Sequence, residues 1–472
     1  MAAWGAPGSG AGVDEWVEQL QSNDPKLTSI SIFRTRKFGH EEVKKLTAAL
    51  EGNTTLHELT ACHHPLSVDD AHCFAAALRS NSSLRSLSVG DASFGDEAIA
   101  VLAQGLSGNT ALQKLDLEGK GLGTAGATAL AQNIDADTGL RHLILTSNSL
   151  GDDGAAAVAP ALHNIAHVEL QNCGIGAAGV RSIAEAAESN NGSSSKRASA
   201  MSLPELAANG VLPESSQETA SSSRLHILRL DGNAAGLGAG KALQPLLGHV
   251  RELYVSSMGL GDEGIQSLVE SLSTKSSLRL LDISDNGIGP KGAASLAAAL
   301  EKLPGLAVLR LRGNCIGDEG AAALSSAMPG SGLQELDVGH NEITIGAAAL
   351  VQKGMKLKKL SLFANKVGDT GASDIAEALS AGSYVHLQEL DLSANDIGTL
   401  GVRRLCDVLE SQAAPALEIL ILAVNPGIED EGFLGQVEIL RAARTELDVA
   451  WRTGDAASMQ QLPAGELEAG AH

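Results

Sequence analysis

Aliphatic residues recur along this chain in one fixed order, Leu-x-x-Leu-x-Leu-x-x-Asn-x-Ile-Gly, as at Leu278, Leu281, Ile283, Asn286 and Ile288. Fourteen such segments follow one another, most of them about 28 residues apart. Their first aliphatic residues are Leu27, Leu56, Leu84, Leu112, Leu140, Ile165, Leu225, Val250, Leu278, Leu306, Leu333, Leu357, Leu387 and Leu417. A fixed period predicts one small unit stacked on itself, so we expect function on a surface rather than in a pocket.

Each repeat contains two different hydrophobic periodicities. Apolar and polar residues alternate in its first part, as from Lys114 to Glu118, which predicts a short strand with one buried face. Beyond the Asn and Gly, apolar residues lie three and four apart with acids at the start, as from Gly317 to Met328, which predicts an amphipathic helix. Every repeat is therefore predicted to be a strand followed by a helix.

This alternation of strand and helix resembles the ribonuclease-inhibitor type of leucine-rich repeat protein, over roughly residues 13–451. The resemblance implies an α/β solenoid of about 14 repeats, shaped as a horseshoe with a concave parallel sheet and helices on the convex side. Residues 1–12 and 452–472 are expected to be flexible ends, and residues 189–223 a disordered insertion loop rich in Ser, Asn and Gly. Lys196 to Ser199 is similar to a kinase site, with an inert linker as the alternative.

An asparagine after the strand is predicted to satisfy backbone groups that would otherwise be buried without partners. This position holds Asn148, Asn233, Asn286, Asn314, Asn341, Asn365, Asn395 and Asn425. The early repeats place Thr35, His64, Ala92 and Lys120 there, which predicts a less regular amino-terminal end.

Composition and charge narrow the classes of partner. Hydrophobic residues make up 44% of the 472 residues, enough for a continuous core, and the formal net charge is −22. Such a charge repels nucleic acid and anionic lipid and favours basic partners; the alternative is that the acids merely keep a long solenoid soluble.

The compartment is predicted from three features. The start of the chain lacks the basic and apolar regions of a secretory signal, and no apolar run approaches about 18 residues. The cysteines are odd in number and scattered over different repeats: Cys62, Cys73, Cys173, Cys315 and Cys406. We therefore expect a cytoplasmic protein with reduced thiols and no membrane insertion; association with the nuclear envelope, cytoskeleton or cilium is the alternative localisation.

Outward-pointing strand residues are the candidates for binding a protein partner on the concave face. The set combines types that often anchor interfaces with acids beside them: Arg229, Tyr254, Asp282, Arg310, Arg312, Asp337, Phe363 and Asp391. Because neighbouring strands lie about 4.8 Å apart, Arg310 and Arg312 are expected beside Asp282 and Asp337. They could simply pair with those acids, which is the alternative to an anchor role.

Catalytic and metal-binding motifs are weak. The sequence contains no phosphate-binding loop, no His-Glu-x-x-His and no nucleophile elbow, so we predict no enzyme, catalytic residue or cofactor. Cys62, His63 and His64 are expected at a strand and its turn, whereas His72 and Cys73 fall on the outer helix. We therefore do not expect these five to converge on one ion, and no metal site is predicted.

Two finer resemblances provide alternative functions. The segment from His167 to Gly176 is similar to a repeat of Ran GTPase-activating proteins, which implies that Asn172 would help to position the catalytic glutamine of a small GTPase. The opening repeats, from Glu18 to Leu84, look like the tropomodulin leucine-rich domain, which implies an actin-associated or ciliary scaffold. The preferred prediction is a non-enzymatic scaffold that binds another protein on the concave face.

Overall fold

The computed structural model describes residues 12–135, 137–162, 164–189, 225–270, 276–381, 386–429 and 431–451. The chain divides into two compact units, Met1–Ala235 with Ala242–Leu253, and Gly236–Lys241 with Tyr254–His472. Apart from Gly12 and Ser189, the predicted flexible ends and insertion loop lie outside the described residues. No described helix is long and apolar enough to cross a membrane.

The first unit alternates strands and helices in chain order. Its strands are β1 (Ser29–Ser31), β2 (Glu58–Cys62), β3 (Ser86–Gly90), β4 (Lys114–Asp116), β5 (His142–Ile144), β6 (His167–Glu169) and β7 (Ile227–Arg229). Its helices are α1 (Val13–Gln21), α2 (His40–Leu50), α3 (Val68–Ser80), α4 (Gly95–Gln104), α5 (Thr124–Asn133), α6 (Gly151–Leu162) and α7 (Ala177–Ser189). Helix α8 (Ala239–Leu243), a 3-10 helix (Gln244–Gly248) and strand β8 (Glu252–Tyr254) occupy the stretch of chain where the division between units falls.

The second unit repeats the same alternation. Its strands are β9 (Leu280–Asp282), β10 (Val308–Arg310), β11 (Glu335–Asp337), β12 (Lys359–Ser361), β13 (Glu389–Asp391), β14 (Ile419–Ile421) and β15 (Asp448–Ala450). Its helices are α9 (Gly261–Glu270), α10 (Pro290–Leu300), α11 (Gly317–Ala327), α12 (Ala347–Lys353), α13 (Gly368–Ala381), α14 (Thr399–Glu410) and α15 (Phe433–Ala443). Two 3-10 helices, Met328–Gly330 and Pro426–Glu429, complete it.

All the strands within each unit are parallel and pair in chain order, β1 to β7 in the first and β9 to β15 in the second. In most strands the middle residue is buried and its two neighbours are half-exposed. Leu309, Leu336 and Leu360, for example, meet in register and are at most 2% exposed. The predicted α/β leucine-rich repeat solenoid, a parallel strand and a helix per repeat, is confirmed within each unit.

The side of the sheet opposite the helices, which we call the solvent face, carries the half-exposed first and third residues of each strand. The helices cover the other side with Leu and Ala side chains, such as Leu296 and Ala293 of α10, both fully buried. Alternation along the three-residue strands therefore decides which side chains a partner can reach.

Asparagine side chains connect each repeat to the one before it. The Asn314 Nδ2 group donates to the carbonyls of Leu311 (2.8 Å) and Ile283 (3.2 Å). Its Oδ1 atom accepts from the backbone N–H groups of Asn286 and Ile288, both at 3.0 Å. Asn148, Asn233, Asn286, Asn341, Asn365, Asn395 and Asn425 make corresponding bonds, so the predicted structural role of these amides is confirmed.

Candidate functional site

Five residues of the second unit form a row across the solvent face, and four of them are predicted binding residues. Strand register places Asp282 beside Arg310, Arg310 beside Asp337, then Ser361 and finally Asp391. We call Asp282, Arg310, Asp337, Ser361 and Asp391 the acidic row. The expected neighbourhood of Arg310 is thus present, and its Nη1 atom lies 3.6 Å from Asp282 Oδ2.

Two carboxylates of the acidic row, Asp337 and Asp391, are partly desolvated. Burial raises the pKa of Asp337 above its ordinary value, although the Gly339 N–H group and the nearby Arg312 and Arg310 act in the opposite direction. Burial also raises the pKa of Asp391, and the negative charges of Asp337 and Glu389 add to that rise, against hydrogen bonds from Ser393. The row therefore concentrates like charge that a cation from outside would relieve.

An aromatic and cationic cluster lies next to the acidic row. The Arg312 guanidinium stands 4.6 Å from the centre of the Phe363 ring, a cation–π contact. The His340 ring meets the edge of the same phenyl group, with centroids 5.2 Å apart. Arg312, His340 and Phe363, the anchor cluster, offer a flat apolar surface with polar edges.

The remaining two predicted binding residues lie elsewhere along the chain. Arg229 ends β7 in the first unit, and its Nε atom lies 3.3 Å from Asp231 Oδ2. Tyr254 ends β8 and is half-buried. The acidic row and the anchor cluster both belong to the second unit. Neither of them includes Arg229 or Tyr254.

A third cluster lies on the solvent face of the first unit, and it was not predicted from the sequence. His142 of β5 is in register with His167 of β6, and their rings stack with centroids 4.0 Å apart and an interplanar angle of 5°. Glu169, two residues after His167, places Oε1 at 2.7 Å from His142 Nε2 and at 3.4 Å from His167 Nε2. The signal in the sequence was His-x-Glu on one strand with histidine at the matching position of the preceding strand.

The surroundings of this cluster favour the neutral form of His167 and the ionised form of Glu169. Burial, with a smaller effect of the neighbouring His142, lowers the pKa of His167 from 6.5 to about 4. A hydrogen bond with His142 lowers the pKa of Glu169 from 4.5 to about 2, against the effect of burial. Two imidazoles and one carboxylate are a donor set that suits a divalent transition metal.

The cysteines and histidines near the amino terminus are arranged as the sequence suggested. Cys62 ends β2, whereas His72 and Cys73 lie on α3. His64 is buried, with Nε2 at 3.2 Å from the Ile32 carbonyl. Among the described residues, His142, His167 and Glu169 are the group whose donor atoms come together, all within 4.8 Å of one another.

Asn172 lies at the turn that follows β6, where its side chain is exposed. Its φ angle of 52° is left-handed, but Ser147, Asp285 and His340 have similar angles at the corresponding positions of other repeats. The next residue, Cys173, occupies the asparagine position, and its N–H group donates to Asn233 Oδ1. The conformation of Asn172 therefore belongs to the repeat, and a role in activating a GTPase stays a prediction.

Comparison with known proteins identifies the repeats. The family model described as Leucine Rich repeat matches residues 138–159, 274–297, 306–325, 355–376 and 385–406. No curated protein sequence matches this chain. The chain thus carries leucine-rich repeats, whereas the ribonuclease-inhibitor type and the likeness to Ran GTPase-activating proteins and tropomodulin stay predictions.

Two solved structures are similar to this chain over most of its length, both at low sequence identity. An internalin from Listeria monocytogenes has 15% sequence identity and a TM-score of 0.44, over 92% of this chain and 88% of that one. The mouse RP105/MD-1 complex has 15% identity and a TM-score of 0.45, over 89% of this chain and 58% of that one.

Proposed function

We propose that this chain is a non-enzymatic scaffold whose second unit binds a basic protein partner on the solvent face of its sheet. Leucine-rich repeat proteins typically act as protein-binding scaffolds, which supports the general part of the proposal. The observation that carries the specific part is the acidic row, in which Asp337 and Asp391 both have pKa values raised by burial.

The acidic row favours a basic partner for an electrostatic reason. Asp337 and Asp391 lie two strands apart in the same register, separated by the uncharged Ser361. Partly desolvated like charges raise the free energy of the unbound protein, so an incoming Lys or Arg side chain would gain more here than at an exposed acid. The net charge of −22 would also accelerate the approach of such a partner.

The anchor cluster would supply the apolar part of the interface. Arg and aromatic side chains are enriched among residues whose truncation weakens binding most. The Phe363 ring contacts both Arg312 and His340, which restricts its side chain and so reduces the freedom that association would remove. Strands on either side fix the backbone beneath it, since Lys359, Leu360 and Ser361 of β12 pair with both β11 and β13.

The proposed compartment is the cytoplasm. All five cysteines are free thiols, and Cys173 and Cys406 are buried with pKa values raised by desolvation to about 11 and about 12. Scattered, unpaired thiols are typical of proteins in a reducing environment.

The test has two stages, identification of a partner and measurement of its affinity for variants. A protein captured by the full chain is titrated against wild type, against the double variant Asp337→Asn with Asp391→Asn, and against Phe363→Ala. We expect the dissociation constant to rise about tenfold or more in each, because the first removes the charges and the second removes the anchor. Affinity for wild type should also fall as salt increases, and more steeply than for the double variant.

The matched control removes two acids from the helical side of the same unit. Glu319 of α11 and Glu410 of α14 are exposed, so Glu319→Gln with Glu410→Gln changes the net charge by the same amount. This control should bind as wild type does. Equal affinity for the wild type and the Asp337→Asn, Asp391→Asn variant would refute the proposed site.

A further inference from the structure

We propose that His142, His167 and Glu169 form a binding site for a divalent transition metal ion, with Zn²⁺ as the best fit. The three residues lie on the solvent face of the first unit, and the proposal does not depend on the function proposed for the second. It departs from the sequence-based expectation that the chain binds no metal.

The donor atoms of His142, His167 and Glu169 lie close together in the structure. They lie within 4.8 Å of one another, and Glu169 Oε1 is 2.7 Å from one imidazole nitrogen and 3.4 Å from the other. Two atoms bound to one tetrahedral Zn²⁺ ion at about 2.0–2.1 Å lie about 3.3 Å apart, so only small shifts of these donor atoms would be needed. Because the two rings stack in parallel, each must rotate slightly about its Cβ–Cγ bond to direct its lone pair at a shared ion.

A buried nitrogen of the His167 ring, Nε2, favours the binding of a ligand at this position. Its Nε2 atom is buried and has no hydrogen-bond partner among the described residues, while the Nε2 atom of His142 is within hydrogen-bond distance of Glu169. A buried ring nitrogen without a hydrogen-bond partner lowers the stability of the folded state, and coordination to a metal ion would satisfy it. Metal binding through His142 Nε2 would require the tautomer that carries the imidazole proton on Nδ1, so the ion would replace the hydrogen bond between His142 and Glu169.

Neighbouring side chains hold the glutamate in place. Gln171 Nε2 is 3.4 Å from Glu169 Oε2, and the Thr146 hydroxyl donates to Gln171 Oε1 at 2.7 Å. Such outer contacts orient a ligand before the ion arrives. Two histidines and one glutamate would leave a fourth position for water, as in open zinc sites.

Charges around the site would moderate its affinity. Lys114 is in register with His142 on one side, and Arg229 is in register with Glu169 on the other. Both cations oppose a metal ion, whereas Asp116 on β4 and Asp231, the ion-pair partner of Arg229, favour it. Removal of the Lys114 charge should therefore tighten binding, an effect that a purely structural role of the histidines does not predict.

The experiment titrates the untagged full chain with Zn²⁺ by calorimetry, and with Co²⁺ by visible absorption. We expect one saturable site whose Co²⁺ spectrum shows nitrogen and oxygen ligands and no thiolate charge-transfer band. His142→Gln and His167→Gln should each abolish that site, Glu169→Gln should weaken it about tenfold or more, and Lys114→Gln should tighten it several-fold. Circular dichroism and melting temperature establish that each variant is folded.

The controls address other donors in the chain. His72→Gln with Cys73→Ser removes donors on α3, and His340→Gln removes a solvent-face histidine of the second unit; neither should change the Zn²⁺ affinity. The proposal fails if wild type shows no saturable site, if folded His142→Gln and His167→Gln variants bind as tightly as wild type, or if a thiolate band accompanies the bound Co²⁺.

Discussion

Single residues at the asparagine position show that side chains other than an amide can also bond to a backbone carbonyl of the preceding repeat. Lys120 is 3% exposed, and its Nζ atom donates to the Gly90 carbonyl at 2.8 Å. Asn148, one repeat later, bonds to the Leu117 carbonyl at 2.8 Å, which by strand register lies one residue before the position equivalent to Gly90. His64 approaches Ile32 in the same manner. The sequence showed the exceptions, but only the structure showed that a longer donor reaches the same kind of carbonyl.

At the same scale, the histidine cluster should make the protein sensitive to acid. The pKa of His167 is lowered from 6.5 to about 4 in the folded state, so its protonation favours unfolding. Above pH 6.5 His167 is neutral in both the folded and the unfolded state. As pH falls from 6.5 to about 4, the unfolded state binds the proton more tightly, and the free energy of unfolding decreases. The lowered pKa of Glu169 acts in the same direction from pH 4.5 to about 2.

The prediction is measured as the midpoint of urea unfolding between pH 7 and pH 4. The midpoint of wild type should fall over this interval, and that of His167→Gln should fall less, because glutamine does not titrate. His249→Gln, which replaces a histidine after the 3-10 helix Gln244–Gly248 and outside the cluster, is the comparison. Parallel pH profiles for wild type and His167→Gln would contradict the assignment.

At the scale of elements, acids in the first turn of one helix hold the start of the next. Asp262 of α9 accepts from the Gly289 and Gly292 N–H groups at the start of α10, at 2.7 and 2.8 Å. Asp152 of α6 accepts in the same manner from Gly176 and Gly179, next to α7. Part of the acidic composition is therefore structural, because a carboxylate satisfies helix N–H groups and interacts with the helix dipole.

Asp262→Ala should destabilise the second unit by about 1–2 kcal/mol, the usual cost of a lost helix cap. Urea unfolding measures the loss, and hydrogen exchange should show faster exchange at the first amides of α10 than in wild type. Glu263→Ala, at an exposed acid in the same turn of α9, is the matched control and should cost less. An equal loss in both variants would argue against a specific bond between the helices.

For the whole molecule, the dominant electrostatic fact is the excess of 56 acids over 34 bases. Local ion pairs such as Lys359–Glu389, at 3.4 Å, offset little of this repulsion, because surface pairs contribute about 0–1 kcal/mol each. Salt weakens both the repulsion and the ion pairs, and we expect the net repulsion to be the larger of the two.

The melting temperature should therefore rise as NaCl is increased, with most of the change below about 0.15 M, where the Debye length falls to about 8 Å. Calorimetry at constant pH measures it, with sucrose at equal osmolality as the control for solute effects. A melting temperature that falls with NaCl would mean that attractive pairs outweigh the net charge.

The sequence by itself determined the repeating framework. Leucine at every second residue specified each strand, and leucine at every third or fourth residue specified each helix. These side chains are buried within their own repeat and its neighbours, so the local sequence is sufficient to predict the elements. It also determined the role of asparagines such as Asn314, because the turn they occupy recurs with the period. The predicted position of Arg310 between Asp282 and Asp337 followed from the same register.

Only the tertiary structure decided which side chains meet across strands and how strongly they are desolvated. His142 and His167 are 25 residues apart in the chain, yet register stacks their rings, and Glu169 reaches both. The burial of Asp337 and the position of Arg312 over Phe363 likewise depend on neighbouring repeats. Periodicity fixes which positions point outward, but the contacts among outward side chains depend on their lengths, rotamers and solvent exposure, which no repeat pattern encodes.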